Sequence, residues 1–154
     1  MLTVRRAQPD DAGYLQRLYS QLVDSAFITV LPARLEELQH DPVHELLVAE
    51  YGGTVIASAL LIFCKDAMFG FQPFAVVENV IVDEAQRGTG VGRQLIRAIE
   101  QRCIKKDCSK IMLMSSIHRT QAHAFFERAG FKGDSKRGFV KYRRDLLASG
   151  LPSD

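Results

Sequence analysis

The chain has 154 residues, 47% of them hydrophobic and 25% charged, the mix of one globular domain that buries roughly 70% of its unfolded surface without disulfides or a structural metal. Twenty Lys and Arg against 18 Asp and Glu leave a formal charge of +2, too small a basic excess for a dedicated nucleic-acid binder. The longest apolar stretch, Val55 to Cys64, is far shorter than the roughly 20 residues of a membrane span. No long apolar region follows Arg5 and Arg6, so no secretory signal is expected and the protein is read as cytoplasmic, without nucleic-acid or membrane partners.

Leu2 to Arg6 alternates like a short strand, and Gln8-Pro9-Asp10-Asp11 reads as a helix start, with proline in the first turn and acids beside it. Ala12, Leu15, Leu18, Tyr19 and Leu22 recur at helical spacing and predict one buried stripe. A shorter helix is expected after Pro32, with Leu35 and Leu38 inward. Glu45 to Tyr51 and Thr54 to Cys64 flank Gly52-Gly53 and predict an antiparallel hairpin. Phe74 to Val82 is a further apolar strand, followed by a glycine-rich turn and a helix from about Gly90 to Lys106 that buries Val91, Leu95, Ile99 and Cys103. Ile111 to Met114 predicts a strand, Thr120 to Ala129 a helix stopped by Gly130, and Gly138 to Arg143 a last strand. One domain over 1–147 with a frayed tail over 148–154 is expected, and the element order implies a mixed α/β sheet.

Cys64, Cys103 and Cys108 form neither an even set nor a C-x-x-C pair, and His118 and His123 are five apart on different helix faces, so no metal site is expected. Cys64 lies near a strand end but nothing in the sequence activates it as a nucleophile; Cys103 reads as core and Cys108 as a loop thiol. The sharpest chemical signal is Gln86-Arg87-Gly88-Thr89-Gly90-Val91-Gly92-Arg93, set between a buried strand and an amphipathic helix. Glycines let the backbone approach a ligand closely, and the amides and dipole at the helix start favour an anion. The plain alternative is a glycine-rich turn with two solvated arginines. A Rossmann fingerprint and a P-loop are both absent.

With the preceding Glu78-Asn79-Val80-Ile81-Val82, this segment resembles the R/Q-x-x-G-x-G/A signature of the GNAT acetyltransferase superfamily, and Ala122-His123-Ala124-Phe125-Phe126-Glu127-Arg128-Ala129-Gly130-Phe131 is similar to its A-x-x-F-Y-x-x-x-G-F segment. The resemblance implies a mixed, mostly antiparallel central sheet flanked by helices, with a splayed strand pair that binds acetyl-CoA as co-substrate. It implies cofactor contacts from the backbone of Val80, Ile81 and Val82, a pyrophosphate cradle of Arg87, Gly88, Thr89, Gly90, Val91, Gly92 and Arg93, and flanking contacts from Arg119, Phe125 and Phe126. It also implies polarisation of the carbonyl oxygen by backbone N–H of the fourth strand. Phe126 stands where many members carry a tyrosine able to protonate the departing thiolate, so the acid is left to Ser115, Ser116, His118, a water or no group at all.

Glu78 and Asn79 interrupt a strand that is otherwise apolar on both faces, and a carboxylate there must be paired, hydrated or used. Removing the proton of an ammonium before acyl transfer is a task a partly buried glutamate suits, which makes Glu78 the expected general base; the alternative is a strand-end ion pair. Arg119 follows a strand's C-terminal end and is placed to grip a phosphate or to serve as a surface charge, while His123 and Glu127 read as a surface pair. The aromatic stretch Phe63 to Phe74 is expected to be buried, under the first helices, in a dimer contact or along an apolar acceptor pocket. Arg119-x-x-Ala122-His123-x-Phe125 resembles the branch with aminoalkylphosphonate acetyltransferases, and Glu78-Asn79 resembles the Glu-Asp of glucosamine-6-phosphate acetyltransferases; both imply a small primary amine as acceptor. A protein lysine or N-terminal acetyltransferase, and a non-catalytic CoA-binding regulatory module, are the alternatives, and a homodimer is consistent with the resemblance.

Overall fold

A computed structural model describes residues 1–150, which fall into two compact units, Met1–Leu113 and a second that begins at Met114. The first unit is a five-stranded sheet in the order β1-β2-β3-β4-β5, with β1 Leu2–Arg6, β2 His44–Tyr51, β3 Thr54–Cys64, β4 Phe74–Val82 and β5 Ile111–Leu113. The first four strands pair antiparallel and β5 runs parallel to β4. The Gly52-Gly53 turn takes φ of +58° and +79°, values that side chains resist, which closes the β2–β3 hairpin as expected.

Helices α1 (Ala12–Leu22) and α2 (Pro32–His40) supply Leu15, Leu18 and Leu35 to a core with Leu46, Val48, Val55 and Ile81. Residues directly opposite one another in antiparallel strands share a face, so Leu46, Leu60 and Glu78, paired in one row across β2, β3 and β4, all lie on the side of this core. Helix α3 (Val91–Lys105) buries Val91, Leu95, Ile96, Ile99 and Cys103, the face expected from its periodicity.

Ion pairs bind the α1 side together. The guanidinium of Arg5 meets Asp11 at 2.7 and 2.9 Å and Glu50 at 2.7 Å, tying β1 to β2 and to the single 3-10 turn Pro9–Asp11 that leads into α1. Burial raises the Asp11 carboxyl, but hydrogen bonds from Arg5 and from the Gln8 N–H outweigh it and hold the group below the usual carboxylate range. Arg17 of α1 reaches Asp83, just beyond β4, at 3.1 Å.

The second unit carries α4 (Thr120–Arg128), ended by Gly130 at φ +96°, and α5 (Arg143–Ala148). The strand expected over Gly138 to Arg143 is not formed: residues 138–142 have no regular structure, and Phe139 is 87% exposed. Alternation of apolar residues signals a strand only where a ladder and a buried face receive it, and 138–142 has neither. The tail expected from Ala148 begins at the last residue of α5, and its final positions, 151–154, lie outside the described residues.

The aromatic stretch is corrected as well. Phe63 is buried and Phe74 half-buried, but Met68, Phe69 and Phe71 are exposed on the β3–β4 connection. That segment turns through Gly70 at φ +67° and is held by the Asp66 carboxylate accepting the Met68 N–H, so its side chains follow a surface loop.

Candidate active site

The second half of β4 departs from a regular strand in two ways. Its register against β3 runs Leu60 to Glu78 and then Ser58 to Ile81, one residue too many on β4, and Asn79 absorbs the excess at φ +54°. This is a β-bulge, built on a residue type that tolerates the left-handed region. Secondly, β5 pairs with β4 only over Ala75, Val76 and Val77, so Glu78 to Val82 have β3 on one edge and no β5 on the other. This is the splay that the fold resemblance implies.

Backbone groups alternate edges along a strand. The N–H of Asp83 donates to Ile56 of β3 at 2.8 Å, so Ile81 also faces β3, while Val80 and Val82 turn their N–H and C=O to the open edge. The side chain of Ile81 is 1% exposed within the α1-side core. Of the three residues assigned cofactor contacts there, Val80 and Val82 have free backbone groups and Ile81 is spent on the fold.

Glu78 is half-buried beside the bulge, on the face of Leu60, and enters none of the ion pairs among the described residues. The strand-end ion pair considered as its alternative role is therefore not formed there.

The glycine loop follows β4 directly. Asp83 caps a single 3-10 turn, Glu84–Gln86, and Thr89 donates its hydroxyl to the Gln86 carbonyl at 2.6 Å. Gly88 at φ +79° and Gly90 at φ +90° then bring the chain into α3. Gly90 is the N-cap and offers no side chain, its carbonyl accepting the first helical bond from Gln94 at 3.1 Å. The first-turn amides of Val91, Gly92 and Arg93 consequently lie beyond the reach of i−4 carbonyls, and a Cβ built at Gly88 or Gly90 would meet open space. Arg87 and Arg93 are exposed beside them. Such an end is an anion cradle, and the pyrophosphate of a CoA ester fits its chemistry.

In the second unit, Arg119 is half-buried at the N-cap of α4 and Phe125 is half-buried. Phe126 is 6% exposed, its ring 5.3 Å from Phe125 and 6.0 Å from Phe131, so it serves as an apolar anchor without a donor. His123 donates from Nε2 to the Ser116 carbonyl at 2.8 Å rather than pairing with Glu127, because the main chain before α4 folds back within its reach. His118 and Ser116 are exposed. The Ser115 hydroxyl is shielded from solvent and has no hydrogen-bond partner among the described residues.

Burial pushes the Cys103 thiol up to about 12 and raises that of Cys108, so neither is a ready nucleophile. No cluster of three or more His, Cys, Asp or Glu among the described residues has metal-binding geometry, and no helix there is long and apolar enough to cross a membrane.

Sequence reading missed one feature of this region: the buried Ser58 hydroxyl donates to the Leu47 carbonyl at 3.0 Å, signalled only by a serine within an apolar strand. A cavity of about 240 Å³ also opens here, lined mainly from residues 29–38, with Tyr19 and Leu46.

A bulged fourth strand, open on one edge and running into a glycine-capped helix, is the arrangement of the acyltransferase fold that the sequence resembles. Residues 15–131 match the acetyltransferase (GNAT) family, and the chain belongs to it. An acetyltransferase from Agrobacterium tumefaciens str. C58 superposes with a TM-score of 0.82 at 30% identity, over 92% of this chain and 99% of that one. A curated glucosamine 6-phosphate N-acetyltransferase of Trypanosoma brucei brucei is 29% identical over 85 residues; the match spans 55% of this chain and just over half, 56%, of that relative. The aminoglycoside N-acetyltransferase AAC(6')-Iy, solved with the bisubstrate analogue CoA-S-monomethyl-acetylneamine, shares the fold at a TM-score of 0.76 and 21% identity, over 93% of this chain and 99% of its own.

Proposed function

We propose that this protein is an acetyl-CoA-dependent N-acetyltransferase that transfers acetyl directly to the primary amine of a small molecule. One observation carries the reading: the half-buried Glu78, the open backbone edge of Val80 and Val82 and the glycine-capped start of α3 follow one another along a single continuous stretch of β4 and its loop. A proton acceptor, a peptide-like binding edge and an anion cradle are what direct acetyl transfer from a CoA thioester needs.

Bound there, acetyl-CoA supplies an acyl carbon activated as a thioester. Amides of Val91, Gly92 and Arg93, with the guanidinium groups of Arg87 and Arg93, hold the pyrophosphate. Val80 and Val82 align the pantetheine amides as an added strand would. Glu78 takes the proton of the acceptor ammonium, freeing its lone pair for attack, and the half-burial of that carboxylate keeps it close to the amine without an ion pair to break first. The relatives solved or named with amino-sugar acceptors support a small amine over a peptide.

Thiol release from acetyl-CoA across aminoalkylphosphonates, amino sugars and their phosphates, arylalkylamines, polyamines and short peptides tests the proposal. Turnover with a small amine, at a kcat that Glu78→Gln lowers while the KM for acetyl-CoA stays unchanged, is expected. Calorimetric binding of acetyl-CoA with no turnover of any amine would instead favour a regulatory CoA-binding module.

A further inference from the structure

The C-terminal end of α3 holds two thiols that play no part in the proposed acetyl transfer. Past Lys105 the chain leaves the helix through Asp107 at φ +56°. The Asp107 N–H returns to the Ile104 carbonyl at 3.0 Å, and the Cys108 N–H to the Cys103 carbonyl at 2.9 Å. These two bonds, one inside the other, form a Schellman motif, which ends a helix on a left-handed residue and sets the side chains at the ends of its outer bond against each other. Apolar side chains commonly meet there; in this chain both are cysteines.

The outer bond also fixes how far apart the two cysteines lie. At 2.9 Å between N–H and carbonyl, covalent geometry limits their Cα atoms to less than about 6.8 Å, and a disulfide spans Cα separations of roughly 4.4–6.8 Å. The thiols themselves are in contact, that of Cys103 donating toward the sulfur of Cys108. Cys103 is 3% exposed and Cys108 half-buried, so an oxidant arriving from solvent meets Cys108 first, with Cys103 behind it. The chain beyond is already pinned at the entry to β4: the Ser109 N–H donates to the Pro73 carbonyl at 2.8 Å, and the Lys110 carbonyl accepts the Ala75 N–H at 2.9 Å. Joining the two sulfurs therefore requires no rearrangement of the backbone. Cys64, at the end of β3, is near enough for its charge to act on Cys108, but no backbone hydrogen bond among the described residues ties the two.

We infer that Cys103 and Cys108 are an oxidation site, which a peroxide converts to a disulfide that staples the end of α3 to the chain entering β5. The Cys108 sulfur attacks hydrogen peroxide and becomes a sulfenic acid as one water leaves. The Cys103 sulfur then attacks the sulfenic sulfur; the S–S bond forms and the hydroxyl departs with the Cys103 proton as a second water. Two thiols are oxidised and one peroxide is reduced. Burial raises both thiols, which slows the attack, and the same thiols are poor leaving groups, so the bond once formed resists exchange. The pair is thus a slow staple rather than a fast sensor. Because the native turn is kept and the unfolded chain loses freedom, the bond stabilises the fold. The 15 residues of α3 place it about 22 Å from the glycine-capped end of that helix, away from the proposed cofactor cradle.

The test treats the purified protein with hydrogen peroxide, blocks remaining thiols with N-ethylmaleimide, and reads the intact mass and the tryptic peptides. The expected product has lost two hydrogen atoms and carries a single N-ethylmaleimide, on Cys64. Trypsin cuts after Lys105 and Lys106, so the bond appears as a linked pair of peptides, Cys103–Lys105 with Asp107–Lys110. Oxidised wild type and oxidised Cys64→Ser are expected to melt about 5 °C above their reduced forms, a gain that dithiothreitol removes. Cys108→Ser shows neither link nor gain, and Cys103→Ala is the control should Cys108→Ser fail to fold. Three alkylated thiols after peroxide, a Cys64–Cys108 link, a sulfinic acid at Cys108 without any link, or a linked form that melts below the reduced protein each overturns the inference.

Discussion

The two sides of the candidate site are built in different ways. The side proposed for the cofactor, Arg87 to Arg93, is local: a few successive residues, two glycines at positive φ and the start of one helix make it, and no distant contact is needed for its amides to point outward. The side proposed for the acceptor amine, around Glu78, is assembled from four elements far apart in the chain. Leu46, Leu60 and Glu78 are brought into one row by strand register, and α1 is held over them by Arg5–Asp11 and Arg17–Asp83. A local site tolerates change elsewhere in the protein; an assembled one is sensitive to pairing errors and to anything that loosens its ion pairs.

The comparison is broken most sharply at Glu78. Glu78→Gln is expected to lower kcat by about 10²–10⁴ with the KM for acetyl-CoA unchanged, measured by thiol release from pH 6 to 9; a parallel loss of acetyl-CoA binding in calorimetry would show that the two sides are not separate.

Asp11→Ala removes the buried partner of Arg5 and is expected to cost about 2 kcal/mol in urea unfolding, less than a fully buried pair because Arg5 is 30% exposed. The pH dependence has a definite sign. The Asp11 carboxyl is depressed on folding, so its contribution is complete above the unfolded value near 4 and is lost as pH falls through the lower folded value. Acid should therefore destabilise the wild type more than Asp11→Ala, read as converging urea midpoints below about pH 4.

Gly90→Val tests the cofactor side. No neighbour would clash, but φ +90° is unfavourable for a β-branched residue, by about 1–2 kcal/mol. The KM for acetyl-CoA is expected to rise roughly tenfold with the amine KM unchanged. The smallest effect is expected from Phe69→Ala with Phe71→Ala, whose exposed rings contribute within about 0.5 kcal/mol to folding; a fall in mass by light scattering would identify the β3–β4 connection as a contact between copies.

What was legible in the sequence divides along the same line. Periodicity located α1, α2, α3, α4 and all five strands, because each buries a stripe or face whose spacing is written in consecutive residues. The glycine loop was legible for the same reason, and Glu78-Asn79 stood out as polar residues inside an apolar strand. Reading failed where partners decide the outcome: 138–142 has the alternation of a strand without a ladder, and the aromatics of 68–71 are exposed because their segment is a turn.

The sequence by itself determined β1 to β5, α1 to α4, the glycine-rich turn into α3 and the presence of a carboxylate in β4. Tertiary structure alone decided that the register across the bulge at Asn79 sets Glu78 opposite Leu60, and that the pairing of β4 with β5 ends at Val77 and leaves Val80 and Val82 an open edge. The reason is physical. Helical and strand periods depend on neighbours in the chain, whereas register, splay and cavity depend on how separate segments pair, and a shift of one residue in that pairing would turn Glu78 to the opposite face.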